Sequence, residues 1–410
     1  MSAPTLPLDG AAIAADTASP PVKPSLSSWA AVASVGTGAF ALVTAEFLPV
    51  GLLPAIAADL GVTEGRAGLT VTMPGLLAAL AAPALTVATG RLDRRIVLWG
   101  LTALLVISNV IVALAPDFVS VLIGRLLLGL GVGGFWAIGV TIGPKLVPPA
   151  HVIKATSLIF AGVSLGTVAG VPTGALIGEM LGWRAAFAAT AALGIVVLAA
   201  QMALLPRLKP TQAVRLRDLP ALFTVPKARI GLLAALLLFV GQFAAYTYVT
   251  PFLVQVSQMG PAAVTGLLLA YGIAGFVGNS AGAWVAGRNV GLAVTLAAGL
   301  IGVATLSLPL WGENQIAATV IVALWGLAFG AMPISIQSWM FRAAPHALET
   351  GAALFVAVVQ IALASGALAG GVAVDHAGVP AAMILGGGFA LATALLIGLF
   401  GRVRPVAAPA

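Results

Sequence analysis

Runs of about 20 or more mostly apolar residues, broken by short polar connections, recur twelve times along the chain. They lie near 29–56, 66–89, 95–115, 118–143, 154–179, 184–205, 229–256, 262–286, 290–310, 314–340, 347–374 and 379–401. A helix rises about 1.5 Å per residue, so about 20 apolar residues cross the roughly 30 Å hydrocarbon layer. A membrane barrel would show strands of about ten residues with alternating polarity instead. The pattern predicts an all-α membrane protein with 12 transmembrane helices. One connection, 206–228, is longer and basic, and it divides the helices six plus six. The predicted organisation is a disordered cytoplasmic tail (1–27), an N-terminal six-helix half (28–205), a cytoplasmic linker (206–228), a C-terminal six-helix half (229–402) and a short cytoplasmic tail (403–410).

Composition agrees with this pattern. The chain is 60% hydrophobic and 8% charged, against about 25% charged in a soluble domain, and its mean hydropathy is +1.12. The net charge of +7 would suggest nucleic acid in a soluble protein, but the positions of the basic residues explain it better. With the N-terminus inside, the inner segments hold Lys23, Arg91, Arg94, Arg95, Lys145, Lys154, Arg207, Lys209, Arg215, Arg217, Lys227, Arg229, Arg288, Arg342, Arg402 and Arg404. The outer loops hold Arg66 and Arg184. That bias places both termini in the cytoplasm. Cysteine is absent, which excludes disulfides, thiolate nucleophiles and Cys-based metal sites. His151, His346 and His376 fall in loops or at helix ends without metal-ligand spacing, so no metal is expected; no cofactor is expected either.

The halves read as a parallel repeat. Gly90-Arg91 and Gly287-Arg288 are 197 residues apart. Leu127, Gly129, Leu130 and Gly133 return at the same offset as Leu324, Gly326, Leu327 and Gly330. Two six-helix halves related by an axis along the membrane normal would hold a substrate midway between them.

Three stretches carry chemistry. Glu46 is the acid placed well inside a predicted span, followed three residues later by Pro49. A carboxylate at that depth costs at least a few kcal/mol and needs a protein-lined or watery interior, where a carboxyl can carry a proton. Arg125 is the matching cation, in Gly124-Arg125-Leu126-Leu127-Leu128-Gly129. It needs a partner or a water-lined cavity, and it reads either as part of proton coupling or as a packing post satisfied by backbone carbonyls. In the fifth run, Gly162, Gly166, Gly170 and Gly174 recur every fourth residue with Pro172 among them, a stripe along which another helix can lie closely.

These stretches resemble the motifs of the major facilitator superfamily. Arg125 with its glycines is similar to the fourth-helix motif of that family's antiporters. The segment Gly162–Gly174 resembles the fifth-helix motif that marks exporters. The loop Gly90-Arg91-Leu92-Asp93-Arg94-Arg95 resembles the motif between helices two and three, shortened and without its second glycine. Within the superfamily the chain resembles the twelve-helix drug/proton antiporters, in the group of bacterial sugar and purine ribonucleoside exporters. The segments that carry this are Glu46–Val50, Gly133–Ala137, Leu146–Pro149, Gly241–Ala244 with Thr247-Tyr248, and Trp325–Leu327. The resemblance implies proton-coupled efflux of purine ribonucleosides or analogues across the bacterial inner membrane, by alternating access. It assigns gating and packing to Gly90, Arg91, Asp93, Arg94 and the fifth-helix residues.

A nucleoside needs an aromatic face for its base and amides or hydroxyls for its edges and ribose. Trp136, Gln242, Tyr246, Tyr248, Tyr271, Asn279, Trp325, Gln337 and Gln360 are the in-span candidates, with helix-to-helix hydrogen bonding as the alternative for each amide. Export of sugars or hydrophobic drugs is the alternative within the class, and an uncoupled facilitator or sensor the alternative outside it. An intramembrane enzyme lacks its nucleophile, base or metal cluster here. The expected partners are a small-molecule substrate and the lipid bilayer, with no nucleic acid, and the chain is expected to be a monomer.

Overall fold

The structure is a computed structural model that describes residues 25–89, 91–139, 142–208, 225–343 and 348–400. The predicted terminal tails (apart from a few residues), the middle of the linker, Gly90 and His346 lie outside the described residues. Among the described residues, twelve helices are long and apolar enough to cross a membrane: α1 (Leu26–Leu60), α2 (Glu64–Leu85), α3 (Arg94–Ala113), α4 (Phe118–Ile138), α5 (Pro149–Leu181), α6 (Trp183–Leu204), α7 (Pro226–Gln255), α8 (Pro261–Arg288), α9 (Val290–Trp311), α10 (Gln315–Ala343), α11 (Leu354–Ala377) and α12 (Val379–Phe400). No strand occurs among the described residues.

Polar residues just outside the apolar runs fix several starts. Ser25, Thr63, Asp93, Asp117 and Asn289 each accept a hydrogen bond from a first-turn N–H of α1, α2, α3, α4 and α9, satisfying donors that the helix itself leaves free. Gly61 and Gly182, at φ 61° and 85°, take the chain from α1 to α2 and from α5 to α6 through a region where a Cβ is disfavoured.

Between helices in lipid, close packing replaces the hydrophobic effect as the main attraction, and small residues permit it. The fifth-helix stripe shows this rung by rung. Gly162 faces Gly36, Gly166 faces Phe40 and Val43, Gly170 faces Thr44, and Gly174 faces Leu48. The stripe therefore seats α5 along α1 of the same half. At its centre, Gly166–Gly170 form one π-helical turn, a feature often found at functional sites.

The same device fixes the repeat. Gly129 and Gly133 of α4 lie against the carbonyls of Pro74 and Ala78 on α2, while Gly326 and Gly330 of α10 lie against those of Tyr271 and Gly275 on α8. Each residue of the second set stands 197 positions after its mate in the first. The offset read from two sequence loci is thus the register of the fold.

The halves meet chiefly toward the end where α1 turns into α2. There the core of the second half extends across the seam to Val50, Leu53, Ala57, Ala67, Val71, Val171 and Ala175. Asp375 of α11 accepts hydrogen bonds from Gly65 N (3.1 Å) and Thr63 Oγ1 (3.0 Å), capping α2 from the other half. Gln255 donates to Glu64 at 2.7 Å. This is the closed end of the bundle. Toward the opposite end the first half keeps a core of its own, built from residues such as Val32, Leu146, Ala155 and Leu205.

Adding bulk at the α2–α4 or α8–α10 crossing should overpack a backbone contact, which costs about 1–3 kcal/mol. Gly129→Val and Gly326→Val are expected to lower the thermal unfolding midpoint in detergent, whereas Gly299→Ala, in open space, should not.

Candidate transport site

Glu46 lies in the middle third of α1, 3% exposed. Its Oε1 accepts a hydrogen bond from Gln360 Nε2 of α11 at 3.4 Å, across the seam between the halves. Arg125, 1% exposed, does not meet that carboxylate. Its Nε donates to Thr70 O (2.6 Å), Nη1 to Ala45 O (2.6 Å) and Nη2 to Glu46 O (2.7 Å). Of the two possibilities that the sequence left open for Arg125, the contacts it makes are those with backbone carbonyls. It ties α4 to α2 and α1, and it reaches Glu46 through the main chain.

Beside this pair is an aromatic run that the sequence reading did not single out as a site. Phe47 stacks on Phe243 across the seam (centroids 5.7 Å, planes parallel). Phe243 continues to Phe239 at 6.3 Å, and Phe239 to Phe355 at 6.1 Å. The available signal was positional. Phe47 adjoins Glu46, and Phe243 stands 197 residues after Glu46.

The predicted substrate contacts divide into groups. Gln242, Tyr246, Tyr271 and Trp325 are brought together inside the second half. Gln242 Nε2 donates to Tyr271 Oη at 2.9 Å, and Trp325 Nε1 donates to Gln242 Oε1 at 2.8 Å. Tyr246 stacks on Tyr271 at 5.0 Å and meets the Trp325 edge at 6.2 Å, with Phe329 closing the group. Both ends of the Gln242 amide are used between helices, in keeping with the hydrogen-bonding alternative. Trp136 is half-buried against Phe135 and Phe160. Gln337 is half-buried and Asn279 exposed, and neither is gathered with the others. Gln360 joins Glu46.

Tyr248 has a different setting. Helix α7 is interrupted at Thr247-Tyr248, where Pro251 removes the N–H that would bond the Thr247 carbonyl. From this break Tyr248 reaches the closed end and donates to Ala367 O at 2.9 Å, with Gly65 O at 3.4 Å. Gly68, Gly370 and Gly371 leave the space its ring and hydroxyl occupy. It is a plug between the halves, fully buried.

The loop motif binds within its own half and to the start of the linker. Asp93 accepts from Arg95 N (2.9 Å) and Leu208 N (3.0 Å). Burial pushes its carboxyl up, but those N–H groups and the Arg95 and Arg207 charges outweigh it and hold the group below the usual range. Its stabilising effect is complete above the ordinary carboxylate range and is lost as pH falls through that depressed value. Arg94 is buried and donates to the Thr89 carbonyl and hydroxyl. Arg91 is exposed, and Gly90 lies outside the described residues. Among the described residues no cluster of His, Asp and Glu suited to a metal ion occurs.

A bundle of twelve apolar helices in two repeated halves, with a buried acid at their seam, defines a membrane transporter. The pattern of the Major Facilitator Superfamily matches residues 35–362, and the chain belongs to that family. It is 38% identical over 370 residues to the purine ribonucleoside efflux pump NepI of Escherichia coli, covering 90% of this chain and 93% of the relative. The Shigella flexneri pump of the same name is 37% identical with the same coverage. Among solved structures, the nucleoside transporter NupG superposes with a TM-score of 0.74 at 15% identity, covering 90% of this chain and 99% of that one. A bacterial homologue of the human lysosomal transporter Spinster, inward-facing and occupied, gives 0.72 at 14%, covering 92% and 99%. At those identities the structures speak for the fold.

Removing the Gln242 amide should leave the Trp325 N–H and the Tyr271 hydroxyl without their partner in a dry interior, at about 1–3 kcal/mol. Gln242→Leu is expected to destabilise the protein in detergent unfolding more than Tyr271→Phe does. The native chain has no cysteine, so closure can be read with an introduced pair. Glu64→Cys with Gln255→Cys is expected to crosslink readily, and adding Gly68→Ala, which crowds the Tyr248 hydroxyl, should reduce the yield.

Proposed function

We propose that the chain exports purine ribonucleosides or their analogues in exchange for protons, by alternating access, with Glu46 as the proton carrier. The observation that carries this reading is the Glu46–Gln360 hydrogen bond across the seam. A group that can take a proton there has its partner on the opposite half, so its protonation state bears on how the halves sit. A charged Glu46 in a dry interior needs every donor it can reach, and Gln360 supplies one. Protonation removes that need and weakens the link between the halves. Protonation from the outside thus favours substrate release there, and deprotonation inside permits reloading. The 38% identity to a purine ribonucleoside efflux pump supports both the substrate class and the direction.

In this reading the chain sits in the bacterial inner membrane as a monomer, uses no cofactor besides protons, and has its closed end outside. The basic residues support that orientation. Arg91, Arg94, Arg95, Lys145, Lys154, Lys227, Arg229, Arg288 and Arg342 belong to the end opposite Arg66 and Arg184.

The test is a substrate panel in inside-out vesicles. Inosine and guanosine should collapse an imposed pH gradient, while arabinose, chloramphenicol and a lipophilic cation should not. Glu46→Gln should abolish uphill transport and retain some substrate binding. No response to either nucleoside would sink the substrate assignment, and uphill pumping by the Gln variant would sink the carrier.

A further inference from the structure

In an α-helix each carbonyl accepts from the N–H four residues on. At the turns that hold Arg125, two helices cannot follow this rule. The helical partner of Ala45 O would be residue 49, and that of Thr70 O would be residue 74. Both are proline, inside α1 and α2 respectively, and a proline nitrogen has no hydrogen to give. These two vacated carbonyls are the ones that take Arg125 Nη1 and Nε, each at 2.6 Å. Nη2 takes the Glu46 carbonyl, one residue along in the turn that Pro49 opens. Two helices each lack a donor, one side chain lacks acceptors, and they meet.

We propose that Pro49 and Pro74 are positioning residues of the transport site: by vacating the Ala45 and Thr70 carbonyls they park the Arg125 guanidinium on the backbone, leaving the Glu46 carboxyl to face Gln360 instead of closing into an ion pair. This rests on the reading of Glu46 as the proton carrier. The ion pairs described elsewhere in the chain, Arg95–Asp93 and Arg184–Asp59, do not involve either group. The repeat gives independent support, because the trio is absent from the second half as a set. At the offset of 197, Pro49, Pro74 and Arg125 correspond to Tyr246, Tyr271 and Val322. Where there is no arginine to hold, neither proline is present. Pro54 and Pro83 also interrupt α1 and α2, but the carbonyls they vacate, Val50 and Ala79, are not among Arg125's acceptors. A helix kink alone is therefore not the common factor.

Among the described residues, Arg125 from α4 is the charged group that acts on Glu46. Thr70 of α2, which shares the Arg125 guanidinium with Ala45 and Glu46, Gly170 of α5, which faces Thr44, and Phe243 of α7, which stacks on Phe47, carry no charge, and α11 brings Gln360. Freed from the carbonyls, the guanidinium still lies beside the turn of α1 that carries Glu46.

The experiment titrates the Glu46 carboxyl in the full reconstituted chain by infrared difference spectroscopy, with its band assigned by subtracting Glu46→Gln. Pro49→Ala and Pro74→Ala each return a backbone N–H that competes for the vacated carbonyl. Each should lower the protonation midpoint by about one pH unit, the effect of a newly adjacent opposite charge, and shift the pH profile of proton exchange the same way. Pro54→Ala should leave the midpoint at the wild-type value. Unchanged midpoints in both proline variants, or an equal shift in Pro54→Ala, would overturn the proposal. If one variant does not fold, the other, on a different helix, decides. Failure of the nucleoside panel alone overturns the substrate assignment and leaves this titration to give its own answer.

Discussion

Inside a bilayer no water stands ready to satisfy a polar group, so each buried donor or acceptor must find its partner in the protein. This constraint organises the interior of the first half. An always-charged guanidinium is placed at mid-membrane, and three backbone carbonyls from two helices surround it. Three helices are joined at one point, and the acid beside that point keeps its side chain for the opposite half. The tight seating of α5 on α1 through glycines makes the arrangement stiff, so Glu46 is held by the whole half.

The second half answers the same constraint with neutral chemistry. At the positions equivalent to the two prolines it has Tyr246 and Tyr271, stacked on each other. The Gln242 amide ties α7 to α8 and α10 through Tyr271 and Trp325. One backbone register supports a charged knot in one half and an aromatic one in the other. The charged knot lies next to the seam residue Glu46, while the aromatic knot is closed on itself. In the reading proposed above, it is the charged knot that neighbours the proton carrier.

Much of this was legible in the sequence because it depends on period and spacing. Run length marks the helices, the 197-residue offset marks the repeat, and a four-residue glycine period marks the α1–α5 contact. Partners across space were less legible. Arg125 could have met Glu46 or the backbone, and only the geometry distinguishes a carbonyl from a carboxylate. Tyr248 looked like its neighbours on a helix, yet the interruption of α7 directs it into a glycine socket built by both halves, Gly68 on one side and Gly370 and Gly371 on the other. Phe47 and Phe243 lie in segments that carry the family resemblance, but nothing in a single sequence says that two rings from different halves will stack. Gln242 was visible as an in-span amide, but its two partners lie 29 and 83 residues away, beyond any local pattern.

The interruption of α7 also changes where the boundary between the halves lies. By connectivity it is the linker, but by packing the residues after the interruption, Val249, Phe252 and Leu253, share a core with Val50, Leu53 and Ala57 of α1. The second half therefore lends the tip of one of its own helices to the first. A rearrangement that parts the halves must either peel this tip from α1 or bend α7 at Thr247-Tyr248 and leave the tip behind. In the second case the moving bodies are not the two sequence repeats. The hinge is then a two-residue gap in a single helix, and the longest connection in the chain serves only as a tether.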